Sequence, residues 1–337
     1  MDVLMIGHSR SGKTSYMAGL YSVYGNAKEG YGIVTKNKDK DQQLVTLGEN
    51  LSYGYYPSQT DIEEEYDFWL TYDGRLIIPF NWYDYRGGAL LESSKTSDDA
   101  RKLVEKIVKA DALIVFLDGE RIKENNDYDL EEAYDVLIWS IMKACSERQA
   151  DTILPISFVI TKGDTYNSYN NCFKTPGYKY FDGIMSMISE CKTIKGMAVV
   201  CEITSKTKIN VVQPLLFSLF YGMDGYIAHE DLRLSVLEKE LNEEEMKLVP
   251  LWYEGGFGDI DNIVTNVQNF IRVNLLGLPR VESDWEKATK VKEIIEVKKR
   301  EIHNQKENLN FLKWKKYEMI SNLNSFIINN TMFYLNK

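Results

Sequence analysis

The sequence predicts a three-layer α/β protein, in which a mostly parallel β-sheet lies between helices and a helical extension follows. Apolar runs typical of buried strands recur through the first 207 residues, and helical stretches separate them. After residue 207 helical patterns replace the strands, which predicts an extension in two parts, residues 208–282 and 283–337. A chain of 337 residues is long enough to bury a sizeable core.

Short apolar runs predict the individual strands. They lie at residues 3–6, 76–82, 112–117, 153–160 and 197–203. Residues 63–73 alternate in polarity, which favours an edge strand, and Asp73-Gly74 predicts a hairpin turn into the next strand. Helices are predicted near residues 39–52, 97–109, 130–148 and 178–190.

Composition narrows the class of protein. The formal charge of −10 argues against general nucleic-acid binding. An apolar run that starts at residue 3 leaves no room for a signal peptide, and no run approaches the ~18 apolar residues of a membrane helix. Four cysteines without C-x-x-C spacing and three histidines favour reduced thiols over a zinc site. We therefore expect a cytoplasmic protein.

The extension ends in a long helix. Residues 211–248 are predicted to be helical, Pro279 breaks the chain, and a further helix runs from about residue 285 to 326. Its apolar residues follow a heptad pattern: Ala288, Val291, Ile295, Ile302, Leu309, Leu312, Met319, Leu323 and Phe326. Segment 285–318 holds ten Lys/Arg and six Asp/Glu, a net charge of +4. Two interpretations stay open: a helix packed on the domain with a solvated basic face, or a coiled-coil arm for a partner or a second copy.

The stretch GHSRSGKT, residues 7–14, bridges the first strand and the first helix. Gly7 and Gly12 let the backbone curl so that N–H groups point into one cavity, and a helix N-terminus favours a phosphate there. Lys13 can reach the β- and γ-phosphates, and the Thr14 hydroxyl can ligate Mg²⁺. The remaining candidate contacts of this loop are Ser9, Arg10, Ser11 and Ser15. The pattern indicates a nucleoside triphosphate without naming the base.

A second motif, Asp84-Tyr-Arg-Gly87, follows the strand at 76–82. An aspartate at a strand end can hold Mg²⁺ through water. The N–H of Gly87 can approach the γ-phosphate.

Two motifs are candidates for recognising the nucleotide base. In Thr161-Lys162-Gly163-Asp164 the Asp164 carboxylate can accept from guanine N1–H and the exocyclic amine, a pair of donors that adenine lacks. The stem of Lys162 can lie on the purine face. Thr204-Ser205-Lys206 follows the strand at 197–203, and its backbone and Ser205 can contact the guanine oxygen.

The four motifs, in this order and each after a predicted strand, resemble the Ras-like and translation-factor-related P-loop GTPases over residues 1–207. The resemblance implies GTP and Mg²⁺ as ligands, with the metal held by Thr14, Thr60 and, through water, Asp84. It also implies a switch whose segments near residues 53–62 and 85–96 are released when the γ-phosphate is lost. A partner protein or a second copy would read that change through the helical extension.

Two departures from the family pattern matter. Gly88 stands where such proteins often carry a water-orienting glutamine, which predicts slow hydrolysis. Arg10 and Arg86 could stabilise transition-state charge instead, and with Lys13 and Thr60 they are the candidate catalytic residues. The long gap between Thr14 and Thr60 and the extension also resemble bacterial GTPases found near conflict or signalling genes.

Other functions remain open at this level. The chain could hold GTP or GDP without turnover and work as an interaction module, which Gly88 favours. It could instead be an ATP-dependent enzyme, in which residues 161–164 match by coincidence. A lone histidine in a loop, such as His8, is more often a packing residue than a base.

Overall fold

The computed structural model describes residues 1–25, 30–58, 64–84, 98–124, 128–148, 153–166, 191, 193–254, 265, 268, 284–328 and 333–335. The strands are β1 (Asp2–Gly7), β2 (Tyr31–Thr35), β3 (Glu64–Tyr72), β4 (Arg75–Asp84), β5 (Ala112–Asp118), β6 (Leu154–Thr161), β7 (Ile194–Val200), β8 (Glu202–Ile203), β9 (Lys208–Ile209) and β10 (Phe333–Leu335). The helices are α1 (Lys13–Tyr24), α2 (Lys38–Ser52), α3 (Asp98–Lys109), α4 (Gly119–Glu124), α5 (Tyr128–Glu147), α6 (Gln213–Glu254) and α7 (Asp284–Ile328).

Within the described residues the main sheet has eight strands in the order β10-β7-β6-β5-β1-β4-β3-β2. The five strands from β7 to β4 pair in parallel. β3 and β2 run antiparallel at one side, and β10 runs antiparallel at the other. The predicted fold class, a mostly parallel α/β sheet with C-terminal helices, is confirmed.

Helices cover both faces of the sheet, since alternate strand residues point to opposite sides. On one face, residues of β1, β5 and β6 share a core with α3 and α5; it includes Leu4, Ile6, Leu103, Ile107, Leu113, Val115, Leu137, Ile141, Ile156 and Phe158. On the other face the ring of Tyr16 from α1 lies edge-on against Phe116, with centroids 5.0 Å apart. There the Ser157 hydroxyl donates to the Pro214 carbonyl of α6 at 3.0 Å.

A hydrogen bond joins the first turn of α1 to the residues that precede α6. The Tyr16 ring is fully buried, and its hydroxyl donates to the Val211 carbonyl at 2.5 Å. Val211 and Val212 are themselves buried, so the start of α6 is part of the sheet's core.

Three sequence predictions about strands are wrong. β3 is internal, because β2 pairs along it from Tyr72 to Phe68. The strand predicted at 197–203 ends at Val200, and the next residues turn away to form the β8–β9 hairpin. Strands also continue beyond residue 207, as β9 and β10. The helix predicted at 178–190 lies outside the described residues.

The chain divides into two compact units, one of Met1–Tyr226 with Trp314–Lys337 and the other of Ile227–Lys313. In the second unit α6 and α7 form an antiparallel hairpin, because Asp231 pairs with Lys313 whereas Glu245 pairs with Lys299. Its buried cluster contains Leu234, Ile302 and Leu309. None of the described helices has a stretch long and apolar enough to cross a bilayer.

Candidate nucleotide-binding site

The loop between β1 and α1 has the backbone that its glycines predict. Gly12, immediately before α1, has a φ of 86°, in the left-handed region that favours glycine. A Cβ on Gly7 would lie 2.7 Å from the Phe116 carbonyl oxygen and 2.8 Å from Ser11 Oγ. Arg10 also has a positive φ, 65°, and its side chain is exposed. The loop is therefore tightly curled between two positions that a larger side chain would strain.

Lys13 is turned into this loop. Its side chain is 9% exposed, and Nζ donates to the Gly7 carbonyl at 3.1 Å and the His8 carbonyl at 3.4 Å. Burial lowers the pKa of Lys13, and the nearby Asp84 charge opposes that shift. A buried amine at a helix N-terminus, satisfied by loop carbonyls, fits an anionic ligand that would replace them.

Thr14 and Asp84 meet beside Lys13. Asp84 ends β4 opposite Met5 of β1, is 4% exposed, and accepts a hydrogen bond from the Thr14 hydroxyl. Burial raises its pKa to about 6, the Lys13 charge works against this, and Glu64 on β3 adds to it. A hydroxyl and a buried carboxylate are hard oxygen ligands, so this pair fits Mg²⁺.

Thr161, the last residue of β6, ties the loop at 161–164 to the loop at 7–14. Its hydroxyl lies 2.8 Å from the Ser11 carbonyl and 3.1 Å from the Leu117 carbonyl. A Cβ on Gly12 would lie 3.4 Å from the Thr161 side chain. Thr161 therefore occupies a packing position between the two loops.

Asp118, at the end of β5, is a site residue that the sequence reasoning missed. It is 3% exposed, and its carboxylate accepts from Lys162 Nζ at 2.7 Å and from the Glu120 N–H at 3.1 Å. Lys162 also pairs with Glu120 at 3.0 Å. Burial lowers the pKa of Lys162, but its hydrogen bonds to the two carboxylates outweigh this and raise the pKa overall. Asp118 thus holds the side chain of Lys162, whose backbone is left-handed with a φ of 55°.

Arg121 was missed as well. It lies on α4, three residues after Asp118, and its Nη1 is 2.9 Å from His8 Nδ1 and 3.3 Å from Nε2. His8 Nδ1 is 2.7 Å from the Ser9 carbonyl, which can only accept. The Ser9 carbonyl requires a donor at Nδ1, whereas the shorter Arg121 contact requires an acceptor at the same atom, so these contacts select neither tautomer. This contact brings a guanidinium from α4 to the loop at residues 7–14.

The two motifs assigned to the base lie next to each other. The Gly163 N–H donates to the Cys201 carbonyl at 2.8 Å, which joins the loop at 161–164 to the segment after β7. Asp164 is exposed within the short 3₁₀ helix Gly163–Thr165. Ser205 and Lys206 are exposed in the turn of the β8–β9 hairpin. They follow the short strand β8 and not the sheet strand β7, which ends at Val200.

The remaining candidates divide by position. Ser9, Thr14 and Ser15 are half-buried around the loop, and Ser11 is fully buried. Thr60, Arg86, Gly87 and Gly88 lie outside the described residues, and so do most of the predicted switch segments.

No family model matches the chain, and no curated protein matches it. Among solved structures it is similar to the signal recognition particle receptor SRb-GTP/SRX complex from Chaetomium thermophilum, at 13% identity and a TM-score of 0.34, over 60% of this chain and 90% of that chain. It is also similar to the S. cerevisiae Ski7 GTPase-like domain bound to GDP and inorganic phosphate, at 11% identity and a TM-score of 0.35, over 60% and 43% of the two chains.

Proposed function

We propose that the chain is a GTP-binding molecular switch with slow, Mg²⁺-dependent GTP hydrolysis, which signals to a partner through its helical extension. The observation that carries the proposal is the meeting of Lys13, Thr14 and Asp84 at the carboxyl ends of β1 and β4. In open parallel sheets this edge is where ligands bind.

The phosphates would lie in the loop at 7–14. Phosphate oxygens would take the place of the Gly7 and His8 carbonyls at Lys13 Nζ, so that the buried ammonium gains an anionic partner. The N–H groups of the curled loop and the N-terminus of α1 would add further donors. Arg10 is exposed on the same loop and would contribute positive charge.

Thr14 and Asp84 would hold Mg²⁺, Asp84 through water, and Thr60 is the third proposed ligand. When bound, Mg²⁺ neutralises charge on the β- and γ-phosphates. The buried Asp84 carboxylate, with its raised pKa, would be stabilised in its ionised form by that charge.

Asp164 would select guanine. Its carboxylate is exposed and would accept from N1–H and the exocyclic amine of the base. Lys162 is positioned beside it by Asp118, and Ser205 and Lys206 lie on the adjoining hairpin turn. Adenine lacks the matching donors, so the carboxylate would disfavour ATP.

Hydrolysis would be slow because Gly88 offers no side chain to orient water. Arg10 or Arg86 would then stabilise the developing charge. Loss of the γ-phosphate would release the segments near 53–62 and 85–96, and the hairpin of α6 and α7 would act as a coiled-coil arm toward a partner.

The test is nucleotide competition on the wild type and on Asp164→Asn, with GTP, GDP, ATP and XTP in the presence of Mg²⁺. We expect the wild type to prefer guanine nucleotides over ATP. Xanthine carries a carbonyl where guanine carries its amine, so the amide that Asp164→Asn introduces should donate to it and shift the preference to XTP. Equal or tighter ATP binding by the wild type would contradict the guanine site.

Single-turnover hydrolysis separates the switch from an interaction module. Slow release of phosphate that falls further in Arg10→Ala or Arg86→Ala supports the proposed chemistry. Tight guanine binding with no turnover would favour the non-hydrolysing module, and full hydrolysis in both variants would exclude a role for either arginine.

A further inference from the structure

The hairpin of the second unit follows a seven-residue repeat on both helices. The seam positions, a, are occupied by Ile227, Leu234 and Leu241 on α6 and by Ala288, Ile295, Ile302 and Leu309 on α7. Going round each helix, positions e and b then form one side of the hairpin, the front side, and positions g and c form the other, the back side.

The front side carries a ladder of ion pairs. Lys299 pairs with Glu245 at 2.9 Å, Lys306 with Glu238 at 2.7 Å, and Lys313 with Asp231 at 3.0 Å. All six residues occupy position e. The b positions between them hold polar residues: Ser235, Asn242, Glu296, His303 and Asn310. The front side is therefore solvated. The basic residues of α7 are largely paired with acidic residues of α6.

The back side differs, because it exposes apolar side chains. Val236 is 50% exposed, Ile294 is 45% exposed and Val297 is 55% exposed, and all three occupy positions c or g. Leu232 and Met246, at the adjoining f positions of α6, are 61% and 72% exposed. The ion-pair register sets Ile294 and Val297 level with residues 247–250 of α6, so they and Val236 lie at two levels about 17–21 Å apart along the hairpin. Apolar exposure at two levels of the same side favours an interaction surface there.

The charge of the back side limits which class of partner can bind there. Its c and g positions hold four basic residues, Arg233, Lys247, Lys287 and Lys290, and three acidic ones, Glu240, Glu243 and Glu301. The side is nearly neutral in a chain whose net charge is −10. A membrane surface or nucleic acid is recognised by a basic face, so neither fits. Two identical faces of this kind can meet without like-charge repulsion. Two faces from the acidic remainder of the chain would repel each other.

The size of the face suits a dimer. About 28 residues per helix at ~1.5 Å per residue give a length of about 42 Å, and two helices of ~10 Å give a width of about 20 Å. The face is therefore roughly 800 Å² per partner, the usual size of a stable interface.

We propose that the back side of the hairpin binds the same side of a second copy of this chain, forming a four-helix bundle between two molecules. Val236 at one level, and Ile294 and Val297 at the other, are buried in this interface, and the ion-pair ladders face solvent on its outside. The inference rests on the hairpin alone and holds whether or not the proposed nucleotide function is correct.

The test is sedimentation of the full chain over a concentration series, with variants that place one negative charge on either side. Val236→Glu and Val297→Glu change the back side. Ser235→Glu and Asn310→Glu are matched controls that add the same charge to an exposed front position of the same helix. Circular dichroism checks that helix content is unchanged, and nucleotide affinity is measured in parallel to keep the two proposals separate.

We expect a reversible wild-type dimer, with a dissociation constant that both back-side variants raise by at least ~10-fold, since an unpaired charge is then buried. The front-side controls should stay within ~3-fold of the wild type. A wild type that is monomeric up to about 100 µM would overturn the proposal, as a dimer at that concentration needs only modest affinity. Equal effects of the front-side and back-side charges would overturn it as well.

Discussion

Asp84 is expected to destabilise the ligand-free protein at neutral pH. Its pKa is raised from 3.8 to about 6, chiefly by burial and despite the opposing Lys13 charge. A raised pKa means that the native state holds the proton more tightly than the unfolded chain, so stability falls as pH rises from about 4 to 6. Above pH 6 the ionised carboxylate remains buried at its full cost.

Asp84→Asn removes that cost while keeping an oxygen that can accept from Thr14. A difference of about two pH units at 1.36 kcal/mol each predicts that the variant is more stable than the wild type by about 3 kcal/mol at pH 7. Near pH 4 both proteins carry a neutral group, and the difference shrinks to roughly 0.5 kcal/mol. The same variant should lose Mg²⁺-dependent nucleotide affinity, since it removes the proposed metal ligand.

The assay is urea unfolding at pH 4, 5 and 7, without nucleotide or metal. Asp164→Asn is the control, because it makes the same chemical change at an exposed position and should leave stability within ~0.5 kcal/mol of the wild type. A variant at residue 84 that is less stable than the wild type at pH 7, or whose advantage does not grow with pH, would refute the reasoning.

Three further predictions concern single contacts. Asp118→Ala should lower the free energy of unfolding, measured with urea, by about 2–3 kcal/mol, because Lys162 loses its buried partner and α4 loses its N-cap. Asp118→Asn should lower it by about half as much. Equal losses would contradict a charge contribution. Gly12→Ala should cost ~1–2 kcal/mol in thermal unfolding, since φ is 86° there; no loss would mean that the loop rearranges freely. Ile302→Ala should cost about 2–4 kcal/mol and speed hydrogen exchange in α6 and α7, but not in β1.

The central strands could be predicted from sequence because they are buried on both faces. β5 reads ALIVFLD and every residue of it is buried, so its apolar run leaves no ambiguity. β2 has five residues, YGIVT, with a glycine and only two buried positions, and its pairing with β3 is a long-range event that local pattern does not encode. Because the sequence pattern did not predict β2, it predicted β3 as an edge strand. β10, three residues long, gives no pattern at all.

Part of the site follows from a rule about sheets. Strands β1 and β4 are adjacent and parallel, so the loop that contains Lys13 and the carboxylate of Asp84 had to reach the same edge. Asp118 carries the same signal, a carboxylate at the end of a buried strand, and could have been found by it. Arg121 could not, because its contact with His8 joins residues 113 apart and depends on where α4 places the side chain.

The hydroxyl of Tyr16 has a mechanical consequence. Tyr16 lies three residues after Lys13, and its hydrogen bond to Val211 anchors the first turn of α1 to the root of α6. Both groups are buried, so the bond cannot be exchanged for water without opening the core. A rotation of α1 about its axis therefore pulls directly on the backbone two residues before Gln213, where α6 begins. The side chain of Tyr16 alone therefore forms a rigid link between the helix that follows the glycine loop and the start of α6.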